Sequence, residues 1–180
     1  MNTITFIEQC LIEVYVRLTK SMQGLTREDF IFRPAPHANC IAEVAFHLAR
    51  AQDRMVAVRA GLGPELWESQ KWFARFGYPR AQSRSGDFRI LRDLNLTTPD
   101  PAILGAYLDS LHENTCTKVR ELSPEDLDRA PDPAQPEYTL AVYFRHLIVH
   151  CNNHHGQIDY IRGLLQEKWD LPPGTGIILK

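Results

Sequence analysis

The sequence has few cysteines, and no two of them are spaced as a C-x-x-C pair. The four cysteines are Cys10, Cys40, Cys116 and Cys151. Cysteines scattered in this way are typical of reduced thiols in helices, and they disfavour both a disulfide framework and a cysteine-rich zinc site. The seven histidines are consequently the more informative residues.

Long apolar runs are also absent. No stretch reaches about 18 consecutive apolar residues, which a membrane-spanning helix needs. The N-terminal stretch 1–16 contains Glu8 and Glu13 where a secretory signal would need unbroken apolar residues. We therefore expect a cytoplasmic protein that does not associate with a membrane.

An excess of positive charge is missing too. The 20 Lys and Arg residues stand against 22 Asp and Glu residues, which gives a net charge of -2. Such a chain has no broad positive field to attract phosphate backbones, so nucleic acid is not expected as a partner. The composition of 44% hydrophobic and 23% charged residues is that of an ordinary globular protein. A length of 180 residues suits one core, and we predict a single domain over residues 1–180.

Four stretches of the sequence repeat apolar residues at steps of three and four, which predicts four long helices. They cover approximately residues 3–23, 39–61, 98–122 and 139–169. Gly24 and Gly61 follow the first two as helix-ending residues, and Thr98 precedes the third as its cap. No segment alternates with period two for long enough to form a strand. We therefore predict an all-α fold, a four-helix bundle.

The connection between helices two and three, residues 62–98, is longer than is usual between neighbouring bundle helices. Its first half is rich in aromatic residues, namely Trp67, Trp72, Phe73, Phe76 and Tyr78. We predict a crossover or lid, with a short amphipathic helix over 66–76 and an exposed loop over 81–87. In that interpretation Trp67, Trp72 and Phe76 form the wall of a pocket. Alternatively, these aromatics simply complete the core.

Two histidines lie in the apolar seam of the last helix. His150 and His154 are four residues apart, so their imidazoles share one helix face and can bind one metal ion. His146 forms a competing pair with His150, and the spacing alone leaves both pairs open. The third ligand is predicted to be His47, on the core-facing side of helix two. Three imidazoles with one solvent molecule would form an open site of the catalytic type.

Other interpretations of these residues remain. Buried histidines often serve the core through hydrogen bonds alone, without a metal. His37 and His112 are interpreted as surface or loop residues. Stretch 150–154 lacks the Glu of a zinc peptidase motif, and no pair of Glu-x-x-His motifs suggests a di-iron centre. Cys151 lies one residue off the seam and is interpreted as a packed thiol rather than a nucleophile.

Two stretches of the sequence together resemble a known family. The first runs from Leu25-Thr26-Arg27-Glu28-Asp29-Phe30 through Arg33-Pro34-Ala35-Pro36, Asn39 and Ile41 to His47-Leu48-Ala49. The second is the stretch 146–158, with H-x-x-x-H followed by one residue and Gly156-Gln157. Both are similar to the DinB/YfiT-like metal-binding superfamily. The resemblance implies a four-helix bundle, often homodimeric, with a divalent ion on His47, His150 and His154. His155 stands where the family often has Arg.

The resemblance and the histidine pattern give two functional hypotheses. The first is a metal-dependent enzyme of the hydrolase or thiol S-transferase type, acting on a small molecule such as a low-molecular-weight thiol. Zn is the first choice of metal, and Ni, Fe or Mn would also suit imidazole ligands. The second is a non-catalytic metal-binding or stress-related binding protein. A closed four-ligand site would favour the second, and three ligands with exchangeable solvent would favour the first.

Further side chains are predicted to orient the ligands or to contact the substrate. They are Glu43, Gln157, His146, His155, Trp67 and Trp72. Gln157 lies one turn beyond His154, and Glu43 lies one turn before His47. The alternative for Gln157 is a hydrogen bond between packed helices, and for Glu43 it is a solvated helix face.

Overall fold

The computed structural model describes residues 1–80, 90–93 and 95–165, and within these ranges it contains helices and no strands. The prediction of an all-α fold is confirmed. The helices are α1 (Thr3–Met22), α2 (Arg27–Ile31), α3 (Ile41–Arg54), α4 (Leu66–Ser69), α5 (Trp72–Arg75), α6 (Ile90–Asp93), α7 (Pro101–Arg120) and α8 (Leu140–Leu165). A π-helical segment, Met55–Arg59, continues α3, and a 3₁₀ turn, Pro124–Asp128, precedes α8. The predicted loop over 81–87 and the predicted helix end near residue 169 lie outside the described residues.

Local sequence explains where the long helices begin and end. The side chain of Asn2 caps α1 by accepting a hydrogen bond from the amide of Thr5 at 2.9 Å. Gly24 follows α1 with a φ of 76°, a left-handed conformation that glycine adopts without a steric cost. For α7 the cap is Asp100 rather than the predicted Thr98, because the Asp100 carboxylate accepts from the first free amides of the helix. The helix consequently begins at Pro101.

The four longest helices pack side by side around the core. Helix α8 lies against both α1 and α3, and α7 also lies against both α1 and α3. Their inward faces contribute buried apolar side chains, among them Leu11, Leu18, Ile41, Leu48, Leu104, Leu108, Leu147 and Ile158. Each such side chain stabilises the fold by roughly 1.5–3 kcal/mol when fully removed from water. The packing brings α3, which bears His47, into direct contact with α8, which bears His150 and His154.

The long connection folds back onto the core. Lys71, with a φ of 56°, separates the short helices α4 and α5, so the helix predicted over 66–76 is two single-turn helices. The rings of Trp67, Trp72 and Phe76 are buried. Trp67 and Trp72 each contact Phe76, and all three rings contact Tyr107. These aromatics therefore complete the core, as the alternative interpretation of the connection proposes.

A buried ionic network holds α3 and α4 together. The guanidinium of Arg50 is completely buried and donates to Asp53 at 2.9 Å and to Glu65 at 3.2 Å. Asp53 also accepts from the backbone amides of Leu66 and Trp67, both at 2.8 Å. The Asp53 carboxylate thus binds the first turn of α4 to the end of α3.

None of the described helices is both long enough and apolar enough to cross a membrane.

Candidate metal centre

The packing of α3 on α8 brings three histidines together. His150 and His154 are one turn apart on α8, and His47 faces them from α3. One nitrogen of each ring lies within 4.8 Å of the others, and all three side chains are wholly or partly buried. The expected meeting of His47 with the pair His150 and His154 is confirmed.

The nitrogens of the cluster converge on one point. His150 Nε2 lies 3.1 Å from His47 Nε2 and 3.1 Å from His154 Nε2. A neutral imidazole has one N–H donor and one lone pair, so three converging Nε2 atoms cannot all satisfy one another. A divalent cation could resolve this conflict by accepting all three lone pairs. At Zn–N distances of about 2.0–2.1 Å, tetrahedral ligands lie about 3.4 Å apart, which is close to the two observed separations.

Gln157 orients the ring of His154. Its Oε1 accepts a hydrogen bond from His154 Nδ1 at 3.0 Å. Because an amide oxygen can only accept, the proton of a neutral His154 must lie on Nδ1. The lone pair of His154 is therefore on Nε2, which points into the cluster. Metal-binding histidines commonly have such a partner on the other nitrogen.

The surroundings of His150 favour the neutral form of its ring. Burial lowers its pKa to about 4, and His154, His47 and His146 add to the shift because each would repel a second positive charge. Its Nδ1 is buried and has no hydrogen-bond partner among the described residues. Only neutral imidazole coordinates a metal, so this environment suits a ligand. The donor set of three neutral imidazoles fits a divalent transition metal.

The other histidines lie apart from the convergent nitrogens. His146 is exposed on α8, with its ring centre 5.9 Å from that of His150. The cluster that His47 joins therefore contains His150 and His154, and not His146. His37 is exposed, as predicted. His112, interpreted as a surface or loop residue, is half-buried within α7, and its ring stacks on that of Tyr15 with ring centres 3.9 Å apart.

Glu43 does not lie on a solvated helix face, so that interpretation is wrong. Its side chain is buried, and its carboxylate accepts from Arg33, from Arg92 and from the backbone amide of Cys40. Burial alone would raise its pKa, but the hydrogen bonds from the two arginines outweigh burial and lower the pKa to about 2. Glu43 is therefore ionised and joins the start of α3 to α6 and to Arg33, which follows α2. A role toward substrate stays a prediction.

His155 faces α1 rather than the cluster. Its Nε2 lies 3.0 Å from Ser21 Oγ and 3.0 Å from Asp159 Oδ2. Arg162, about two turns beyond His155 on α8, donates to the backbone oxygen of Ser21. Sequence patterns missed this buried group because Ser21 lies 134 residues from His155. The signal for this group in the sequence was the set of polar residues His155, Asp159 and Arg162 on one side of α8.

Trp67 and Trp72 were also predicted to lie near the substrate. Trp67 packs on Phe46, the neighbour of His47, with ring centres 5.7 Å apart, and on the guanidinium of Arg50. Trp72 packs on Tyr107 at 5.0 Å. Both rings are nearly inaccessible, and their contact with a substrate stays a prediction.

Comparison with known proteins agrees with this architecture. The family model described as the DinB superfamily matches residues 11–158. No curated protein matches the chain. Among solved structures, the chain is similar to a crystal structure described as a conserved protein from Enterococcus faecalis, with a TM-score of 0.75 and 20% sequence identity. The alignment covers 93% of this chain and 99% of that one, and at this identity it shows a shared fold alone.

Proposed function

The chain belongs to the DinB superfamily, and from that membership and its three convergent histidines we propose that it is a metal-dependent enzyme. His47, His150 and His154 would hold one divalent ion. The observation that supports this best is the composition of the cluster: within the described ranges, no fourth His, Cys, Asp or Glu joins the three. Three protein ligands leave a coordination position for water or a substrate atom, as in catalytic sites.

Zinc is the metal that we propose first, and nickel, iron and manganese also suit imidazole ligands. When bound, such an ion lowers the pKa of a coordinated water or thiol and stabilises the resulting anion. This chemistry corresponds to a hydrolase or to a thiol S-transferase.

Two features of this chain would prepare the ligands, and a third bears on the source of the reacting thiol. Gln157 holds His154 in the tautomer whose Nε2 is free of a proton. The buried environment of His150 keeps that ring neutral well below pH 7. Cys151, beside His150, is not available as a nucleophile, since it is buried and its pKa is raised by burial to about 12. We propose that a reacting thiol would come with a small-molecule substrate.

The first experiment measures metal content. Protein purified without chelators and without nickel resin should contain one divalent ion per chain. His47→Ala, His150→Ala and His154→Ala should each abolish stoichiometric metal, because two imidazoles bind a divalent ion far more weakly than three. His146→Ala is the matched control, since it removes an exposed histidine of the same helix. Loss of metal in His146→Ala with retention in His154→Ala would contradict the proposed ligand set.

A second measurement separates the enzyme from a binding protein. Turnover on panels of thiol-transfer and hydrolytic substrates should depend on added metal and be absent in His154→Ala. A fourth ligand from the protein, seen in a metal-bound structure, would instead favour the non-catalytic alternative.

A further inference from the structure

A cavity lies between the end of α1, the short helix α2 and the first half of α7. Its volume is about 360 Å³, which is within the range of small-molecule sites. None of the described residues that line it lies on α3 or α8, the helices that bear the three histidines. The cavity is therefore separate from the candidate metal centre.

Most of the cavity wall is apolar. Leu104 and Phe30 contribute buried side chains to it, and Met22, Leu25 and Pro101 contribute partly buried ones. An apolar group placed against these side chains would be removed from water, which favours binding in proportion to the area buried. The wall therefore suits a ligand with a sizeable apolar group.

Gly105 leaves space in this cavity. It lies inside α7, where glycine stabilises a helix less than alanine does. Its backbone is not left-handed, and a Cβ built on it would meet no atom within 4 Å. Neither the backbone conformation nor close packing therefore requires glycine at this position. The missing side chain does keep the cavity open, as a ligand site there would need.

Two charged side chains line the cavity from different helices, Lys20 from α1 and Asp109 from α7. The hydroxyl of Tyr15 donates to Asp109 Oδ1 at 2.5 Å and so orients the carboxylate. Burial and the contact with Asp109 raise the pKa of Tyr15, which keeps this hydroxyl protonated. The uncharged polar side chains of the lining are Thr19 and Gln23.

The two charges favour a ligand that carries charges of both signs. A ligand with an ammonium group alone would be attracted by Asp109 and repelled by Lys20, and a ligand with a carboxylate alone would meet the reverse. A molecule with both groups can place each one beside its counterpart. A free amino acid carries both on one carbon atom, and an apolar side chain would match the rest of the wall.

We propose that this cavity binds a free amino acid with a large apolar side chain. Its ammonium group would contact Asp109, and its carboxylate would contact Lys20. Its side chain would lie against Phe30 and Leu104. The site shares no residue with the histidine cluster, so binding should not require the metal.

Three probes test the class of ligand by isothermal titration calorimetry with the full chain at pH 7. They are L-phenylalanine, phenethylamine, which lacks the carboxylate, and hydrocinnamate, which lacks the ammonium group. L-Phenylalanine should bind about tenfold more tightly than either of the other two, because each of these leaves one charge of the cavity without a partner.

Two variants locate the site. Gly105→Leu should weaken binding of L-phenylalanine about tenfold, because the new side chain fills the cavity. Ala106→Leu is the matched control, since Ala106 is the exposed neighbour on α7 and does not line the cavity. Asp109→Asn should remove the advantage of L-phenylalanine over hydrocinnamate, because a carboxamide still accepts from Tyr15 but has no charge. Helical circular dichroism should be unchanged in all three variants.

Several results would overturn the inference. Equal binding of L-phenylalanine and either of the other probes would exclude recognition of both charges. Wild-type affinity in Gly105→Leu would show that the cavity is not the site. Absence of L-phenylalanine binding at millimolar concentration would exclude the proposed ligand. Removal of metal by a chelator should leave the affinity unchanged, so failure of the metal function proposed above is distinguishable from failure of this site.

Discussion

At the scale of single residues, the hydrogen bond from His154 to Gln157 is the contact that most directly controls the proposed ligand set. It places the His154 proton on Nδ1 and leaves Nε2 for the cluster. Gln157 is exposed, so its side chain can be changed at little cost to the core. The contribution of orientation to metal binding can therefore be measured separately from folding.

Gln157→Leu should lower the affinity for the metal by about 10- to 100-fold, because His154 Nδ1 loses its acceptor and the ring its orientation. Gln157→Glu should restore binding, since a carboxylate also accepts from Nδ1. Asn152→Leu is a matched control on an exposed position of the same helix. Competition with a chromophoric chelator gives the affinities. Wild-type affinity in Gln157→Leu would contradict the orienting role.

Residues with local partners could be predicted from sequence, and residues with distant partners could not. His150 and His154 were predictable because a spacing of four places both on one helix face. The burial of Glu43 was not, because its partners Arg33 and Arg92 are 10 and 49 residues away. A Glu at that spacing is equally compatible with a solvated face, and only the tertiary arrangement distinguishes the two.

At the scale of elements, the end of α3 is bound to the connection by one carboxylate. Asp53 accepts from Arg50, from the Tyr107 hydroxyl at 2.6 Å, and from two backbone amides of α4. Every partner is buried or lies in a buried turn. This contact fixes the aromatic residues of the connection against Phe46, and hence against the turn of α3 that bears His47.

Asp53→Ala should reduce the free energy of unfolding by about 3–5 kcal/mol, because it leaves the buried Arg50 charge only partly compensated and two amides without an acceptor. Urea denaturation at pH 7 measures the change. Glu121→Ala is the control, since it breaks an exposed pair with Lys118 and should cost less than about 1 kcal/mol. Similar losses in the two variants would show that the buried network contributes no more than a surface ion pair.

Element boundaries were predictable where a glycine or a cap determines them. Gly24 and Gly61 both have positive φ next to helix ends, as expected of glycine. The start of α7 was misplaced because Thr98 and Asp100 are both good caps, and only the hydrogen bonds of Asp100 distinguish them. The interruption at Lys71 was missed, because left-handed backbone at a lysine gives no sequence signal.

At the scale of the whole molecule, the histidine cluster lies between two helices of an extensive apolar core. Helices α3 and α8 bury apolar residues on both sides of the cluster, including Val44, Leu48, Leu147 and Ile158. The helices that bear the ligands are also held by α1 and α7. A metal bound here would find its ligands already assembled, so its binding adds to stability chiefly by mass action. The predicted homodimer and cytoplasmic location stay predictions.

Removal of the metal should therefore lower stability without unfolding the protein. Binding at 100 times the dissociation constant contributes about 2.7 kcal/mol. At about 2–4 °C per kcal/mol for a chain of this size, chelation should lower the thermal midpoint by about 5–10 °C. Helical circular dichroism at 25 °C should remain unchanged. His150→Ala, which should bind no ion at stoichiometric levels, is the control: chelator should leave its midpoint where it was. Loss of the helical signal on chelation would show that the ion is needed for folding, and would favour a structural role over the catalytic one.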